Sequence, residues 1–319
     1  MENLRFADGP YSDLLVRFVG YKRGKGEKGG RNLLNTLRKI SVFLADETSE
    51  DGLDETTVRR ILSPIDGESP STREHRVSIV RQLCAFLNAL GISCWTVPAR
   101  YYTAPRSFFK PYIFSEEDVK LLLESADSLP PHPRSDGYEI VYPVLVRLLL
   151  STGLRISEAL ALDVDDIGSD GIISVIHSKN GVSRLVPMSK SMDDRMCAYL
   201  RMIERDAGPL FLSPYTGKRY SYDGIHYMFE RLYDRAGVKT SAGRRPRIHD
   251  LRHSFCTHSL DKMLSSGMDL YVAIPILAAY VGHVNLVDTE KYIHFTSVAH
   301  NSFTEAEGAL ASLIPKVVV

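Results

Sequence analysis

Residues 138–162 read YEIVYPVLVRLLLSTGLRISEALAL, and this stretch sets the architecture around it. From Tyr138 to Ser151 apolar residues occupy nearly every position, the pattern of a helix buried on all sides. Arg147 interrupts the run, which also falls short of the roughly 18 residues that a membrane helix requires, so it reads as a core helix. Gly153 ends it, because glycine readily takes the left-handed conformation that closes helices. Helical spacing resumes from Ile156 to Leu162, with Arg155 at the start, where unpaired backbone N–H groups and the helix dipole favour an anion. Taken alone, Arg155 reads first as a surface or salt-bridged arginine, with Glu158 three residues on to hold it.

Downstream, Ile172–Ile176 and Ser183–Val186 are β-rich runs joined through Ser178-Lys-Asn-Gly-Val182, which predicts a hairpin with Asn180-Gly181 as its turn. Helical spacing returns over Ser191–Arg205, Tyr222–Ala236, His249–Leu264 and Leu270–Val281, then in a short segment through Tyr292 and in a tail helix over Thr304–Leu313. Upstream, Ser115-Glu-Glu-Asp118 is a helix start of the capping type before the apolar face Val119, Leu121, Leu122 and Leu123. Residues 98–111, PARYYTAPRSFFKP, mix prolines, aromatics and cations with no regular period and read as a linker. Before it, apolar positions from Tyr11 to Val19, Leu33 to Leu44 and Val77 to Leu90 predict a bundle of about four helices. Lys22 to Arg31, KRGKGEKGGR, is a flexible basic loop, either solvated or in contact with phosphates. The expected division is an N-terminal helical domain over 1–97, a linker over 98–114 and a second domain over 115–319.

At 319 residues the chain exceeds what one compact core usually holds, in keeping with two domains. A hydrophobic fraction of 44% and a charged fraction of 24% fit a globular protein. The start, Met-Glu-Asn-Leu-Arg, has no signal-peptide apolar region, so a cytoplasmic protein is expected. Cys84, Cys94, Cys197 and Cys256 lie apart in sequence without a C-x-x-C pair and read as reduced, mostly core thiols. Net charge is zero, from 39 cations and 39 anions, whereas nucleic-acid binders usually carry a basic excess. Residues 1–115 hold 17 cations against 13 anions, and the remainder 22 against 26, so affinity for a polyanion would have to come from local patches.

The candidate chemistry lies in four strings. In HDLRH, residues 249–253, His249 and Arg252 share a helical face and can reach one anion together. The string also mimics the zinc-protease pattern H-E-x-x-H, but Asp250 is a methylene shorter than the usual base and Arg252 would set a cation beside the metal. His249, His253 and His258 on one helix keep a metal reading open, and hydrogen-bonded helix histidines are the plainest reading. Locally, Lys179 in SKNG is a solvated hairpin lysine, His283 after Gly282 a polar helix stop, and Tyr292 one of 16 tyrosines. Taken together and in order, TGLRISE (152–158), SKNG (178–181), HDLRH (249–253) and GHVNLVDTEKY (282–292) resemble the tyrosine recombinase, or phage integrase, family. The resemblance spans Thr152 to Tyr292; the preceding half matches in layout only.

The resemblance implies a mainly α fold with a small β-hairpin: an N-terminal helical core-binding (SAM-like) domain and a C-terminal mixed α/β tyrosine recombinase catalytic domain. It implies that Tyr292 attacks a scissile phosphate to leave a 3′-phosphotyrosyl link and a free 5′ hydroxyl. Arg155 and Arg252 would stabilise the pentacoordinate phosphorane, because guanidinium forks match paired phosphate oxygens. His283 would assist, His249 would act as general acid/base, and Lys179 as acid toward the 5′ oxygen. A phenol ordinarily titrates near 10, so its attack at neutral pH needs neighbours that accept the proton or stabilise the phenolate. No metal or ATP cofactor is expected. The expected partners are a double-stranded recombination site, lying along the linker, and further copies of the chain: a dimer on each site and a homo-tetramer on two. The tail would dock on a neighbouring protomer, and LYVAIPILAAYVGH, residues 270–283, resembles integrases of mobile elements. No long arm-binding segment precedes the first domain, so the core site alone should suffice. A type IB topoisomerase and a catalytically silent DNA-binding protein of the same fold remain the alternatives.

Overall fold

In the first hundred residues, two of the four helix starts coincide with side chains that serve orphan backbone N–H groups. The computed structural model describes residues 4–26, 30–47, 51–105, 110–131, 137–176, 183–213, 215–283, 285–293 and 296. It divides into two compact units, Met1–Phe109 and Lys110–Val319.

The first unit contains α1 (Ser12–Gly24), α2 (Arg31–Leu44), α3 (Glu55–Leu62) and α4 (Pro70–Ala89), matching the predicted helical bundle. Asp54 caps α3 by accepting from the Thr57 amide at 2.7 Å, and Ser69 caps α4 by accepting from Thr72, with Pro70 at the first helical position. Phe18, Val19, Leu37, Val58, Leu62 and Leu87 are wholly buried where the helices meet. Two short strands, β1 (Gly52–Leu53) and β2 (Ser93–Cys94), pair in parallel, a feature the periodicity did not reveal because each has only two residues. Trp95, Tyr101 and Tyr102 pack against this core, with the Arg59 guanidinium 5.1 Å from the Trp95 ring and the Arg73 guanidinium 4.4 Å from that of Tyr102. The first part of the segment read as a linker thus has its aromatics folded back on its own unit.

In the second unit, α5 (Glu116–Asp127) begins with the predicted capping box: Ser115 Oγ accepts from the Asp118 amide at 3.1 Å, and the Asp118 carboxylate accepts from the Ser115 amide at 2.9 Å. The apolar stretch forms α6 (Tyr138–Thr152), bracketed by left-handed Gly137 and Gly153. The next helix, α7 (Ile156–Ala159), is a single turn and stops short of the predicted Leu162. Its continuation is diverted because the Leu162 carbonyl accepts from the Leu210 amide at 2.9 Å and from Arg219 Nη1 at 2.8 Å, while the Val164 amide donates to Gly208. β3 (Ile172–Val175) and β4 (Arg184–Pro187) make the predicted antiparallel pair, with Val175 opposite Arg184; the predicted Asn180-Gly181 turn lies outside the described residues.

Then follow α8 (Lys190–Ile203), α9 (Tyr222–Ala236), α10 (Ile248–Ser265) and α11 (Leu270–Val281). A last turn, α12 (Val287–Glu290), ends before Tyr292 instead of running through it, and the predicted tail helix lies outside the described residues. The main core gathers the buried faces of α5, α6, α8 and α9, and a smaller cluster between α10 and α11 encloses Tyr292. No helix among the described residues is long and apolar enough to cross a membrane.

Candidate active site

α10 buries polar side chains where a helix ordinarily buries apolar ones: Asp250, Arg252, His253, Ser254 and Thr257 are all buried. A buried charge without partners is costly, and Arg252 finds partners at the ends of two other helices. Its Nη1 donates to the Gly153 carbonyl and its Nη2 to the Val281 carbonyl, both at 2.7 Å. One guanidinium therefore ties the end of α6, two residues before Arg155, to the end of α11, two residues before His283. These bonds engage two of the five N–H donors of an arginine. Burial draws Arg252 down to about 10, so it remains a cation at neutral pH. The left-handed turn at Gly153 (φ 61°) disfavours any larger residue, since a Cβ there would lie 2.3 Å from the Phe255 ring.

Arg155 stands at the start of α7, as predicted, and Glu158 does hold it. Arg155 Nη1 donates to Glu158 Oε1 at 2.8 Å, its backbone N–H donates to Oε2 at 3.0 Å, and its Nη2 reaches toward the Gly282 carbonyl at 3.5 Å. Glu158 also takes a second arginine, Arg184 of β4, whose Nη2 lies 2.8 Å from Oε2. Burial alone would raise the Glu158 carboxyl; hydrogen bonds and charge from Arg184, then from Arg155, outweigh it and lower it to about 2.

Tyr292 is 1% exposed, and its hydroxyl lies 2.9 Å from His253 Nδ1 and beside the Cys256 thiol. The Tyr292 ring stacks on that of His283, with centroids 6.3 Å apart, and the Lys291 ammonium lies 5.5 Å from the Tyr292 ring centre. Burial, reinforced by Cys256, pushes the phenol well above its ordinary value, against a smaller pull from Arg252. The same burial and the surrounding cations disfavour imidazolium. His253 is lowered to about 3 by burial, then His249 and Lys291. His283, whose Nδ1 lies 2.7 Å from Thr289 Oγ1, is lowered to about 4 by burial, then Arg252 and Lys291. His249 sits at the rim with an exposed side, its ring 4.7 Å from that of His253, and is lowered to about 4 by burial of its inner edge, then Arg252, Arg247 and Arg155. The site thus holds neutral histidines and a neutral phenol among cations, an environment that attracts an anion. An anion bound there would oppose the cationic contribution to these shifts, while burial, the larger cause, would remain.

The structure brings together five predicted residues, Arg155, His249, Arg252, His283 and Tyr292; Lys179 lies outside the described residues. It adds three side chains to which the sequence assigned no part in this chemistry: His253 and Cys256 at the Tyr292 hydroxyl, and Arg184 behind Glu158. The available signals were faint. Arg184 is a cation in an otherwise β-rich run, and His253 and Cys256 fall on the Arg252 helix at spacings that only the packed structure resolves. Among the described residues, no three His, Cys, Asp or Glu side chains gather so as to hold a metal ion; His258 instead lies 2.8 Å from the Phe114 carbonyl.

Comparison with known proteins gives a concordant picture. The model of the Phage integrase family matches residues 113–297. The chain is 33% identical over 192 residues to a Sinorhizobium fredii protein bearing the name integrase/recombinase y4rB, in a match covering 58% of this chain and 61% of that one. It is 30% identical over 267 residues to the tyrosine recombinase XerD of Rhizobium meliloti, covering 81% of this chain and 79% of that one. Among solved structures, the XerH site-specific recombinase bound to a palindromic difH substrate superposes with a TM-score of 0.68 at 19% identity, over 94% of this chain and 98% of that one.

Proposed function

Because the chain belongs to the phage integrase family, we propose that it is a site-specific DNA recombinase whose nucleophile is Tyr292. The observation that carries this reading is a tyrosine hydroxyl enclosed with a histidine nitrogen at 2.9 Å in a site where Arg252 links the Arg155 and His283 segments. Cleavage of a phosphodiester requires charge stabilisation of the non-bridging oxygens, a nucleophile, and a proton for the leaving oxygen. In the proposed step the Tyr292 oxygen bonds to phosphorus, the bond from phosphorus to the 5′ oxygen breaks, and the 3′ end stays on the enzyme as a phosphotyrosine. The phenol proton passes to a neighbouring base, for which His253 is within reach. Arg155 and Arg252 carry the charge of the phosphorane, with His283 assisting. His249 exchanges protons at the rim, and Lys179 is assigned to the 5′ oxygen. A 5′ hydroxyl from the partner strand then attacks the phosphotyrosine and releases Tyr292. One ester replaces another at each step, so rejoining needs no external energy source.

In this reading residues 1–97 and 115–319, joined by 98–114, hold one recombination half-site. Two copies bind each site and four bring two sites together, with the tail of one protomer docked on another. The test uses nicked duplexes of random sequence incubated with the protein. Covalent complexes are recovered under denaturing conditions, and the modified peptide is mapped by mass spectrometry. The expected adduct lies on Tyr292 and disappears in Tyr292→Phe, while duplex binding stays within about a few-fold because only the nucleophilic oxygen is removed. Adducts persisting in Tyr292→Phe would reassign the nucleophile.

A further inference from the structure

Arg155 and Glu158 pose an electrostatic problem. A buried carboxylate bonded to a guanidinium neutralises it, and a neutralised arginine has little to offer a phosphorane. The structure answers with Arg184. The Glu158 carboxylate is shared: Arg155 takes Oε1 through one terminal nitrogen at 2.8 Å, while Arg184 takes Oε2 at 2.8 Å and stands 3.3 Å from Oε1. Arg155 is thereby held by a single side-chain prong, leaving its Nη2 turned toward the Gly282 carbonyl, next to His283. Two guanidinium charges face one carboxylate, so the cluster retains a net positive charge. The Arg184 and Glu158 side chains are 6% and 1% exposed, and Arg155, at 17%, is the most accessible of the three. Solvent and ligand therefore meet the excess charge at Arg155.

Arg184 also fixes the other wall. Its Nε donates to the Tyr280 carbonyl at 2.9 Å, and its guanidinium lies against Gly282, where a Cβ would come 2.9 Å from Nη1. One side chain from β4 thus joins the turn that carries Arg155 to the helix end that carries His283.

We propose that Arg184 is a positioning residue for strand cleavage, which neutralises Glu158 so that the charge of Arg155 remains available to the scissile phosphate. The inference rests on the recombinase reading of the same site. Removing Arg184 would leave Arg155 as the sole ion-pair partner of Glu158 among the described residues, favouring a closed neutral pair. Removing the Glu158 charge as well would release Arg155 again. A purely structural role for Arg184 predicts the opposite, since losing both partners would damage the scaffold further.

The experiment measures single-turnover cleavage of a nicked half-site recovered with the native protein, alongside half-site binding. Arg184→Met is expected to bind within about a few-fold of the native protein and to cleave at least about 100-fold more slowly, comparable to losing one transition-state donor. Glu158→Gln/Arg184→Met is expected to recover at least about tenfold of that loss. Cleavage by Arg184→Met at the native rate, or a double variant no faster than Arg184→Met, would overturn the proposal. Should Arg184→Met bind no DNA, Arg184→Gln and Glu158→Gln/Arg184→Gln, which keep hydrogen-bonding groups in place, carry the same comparison with the same outcomes. The native protein runs in parallel; if it forms no adduct on Tyr292, the recombinase reading fails, irrespective of the variant ratio.

Discussion

Acid should loosen the catalytic unit through His253, and the effect can be sized from the structure. His253 is 6% exposed, and its imidazolium is disfavoured by burial and by His249, Lys291, Arg247 and Arg252, which lower it from 6.5 to about 3. Above 6.5 the ring is neutral in folded and unfolded chains alike, and its contact with Tyr292 is fully present. Between 6.5 and about 3 the unfolded chain takes up a proton that the folded one refuses, so stability falls as pH drops through this window. Each pH unit corresponds to about 1.4 kcal/mol, so at pH 5 His253 alone should remove roughly 2 kcal/mol. His249 and His283 act in the same direction but are more accessible and contribute less. His253→Gln can still accept a hydrogen bond from Tyr292 and does not titrate. Urea unfolding of both proteins should be followed at pH 7 and pH 5 by circular dichroism of the helices. The lone tryptophan, Trp95, lies in the first unit and would not report on the second. The native protein should lose about 2 kcal/mol more than His253→Gln between the two pH values. Equal losses would show that His253 protonates freely in the folded protein, and the picture of a neutral, anion-seeking site would be wrong.

Two further substitutions probe the walls of the site. Arg155→Lys should lower cleavage at least about 100-fold in a single-turnover assay, because an ammonium cannot hold Glu158 and present a second prong to phosphate at once; near-native cleavage would place Arg155 outside the reaction. Gly153→Ala should destabilise the protein by more than about 1 kcal/mol in urea unfolding, since the added methyl group meets Phe255 in a left-handed turn. It should also slow cleavage, because the Gly153 carbonyl anchors Arg252; unchanged stability would mean that the α6–α7 turn adjusts freely.

What the sequence disclosed, and what it withheld, follows from the range of the forces involved. The buried helix ending at Gly153, the capping box at Ser115 and the β3–β4 pairing are local: a few neighbouring residues decide them, and one-dimensional patterns express them. The candidate site residues were legible for another reason, since Arg155, His249, Arg252, His283 and Tyr292 stand in strings whose order is distinctive although each string is weak alone. Where local logic failed, a long-range contact had intervened. α7 stops early because Leu162 is bonded to Leu210 and Arg219. Tyr101 and Tyr102 pack against the core of the first unit, contacts that no local period expresses. Arg184 and Glu158, 26 residues apart, bear no local mark of their pairing. The same reasoning resolves the difficulty raised by a formal net charge of zero. Asp250 is drawn toward Arg247, with its Oδ1 3.0 Å from Arg247 Nη2, and Glu158 is shared by two arginines, while Arg155, Arg252 and Lys291 all act on His283, which stacks on Tyr292. An anion meets the field of that site and not the sum over the chain, since a Debye length of about 8 Å at physiological salt screens the exposed charges beyond it. Neutral composition and a cationic site are therefore compatible, and the placement of buried carboxylates decides where the positive charge can be felt.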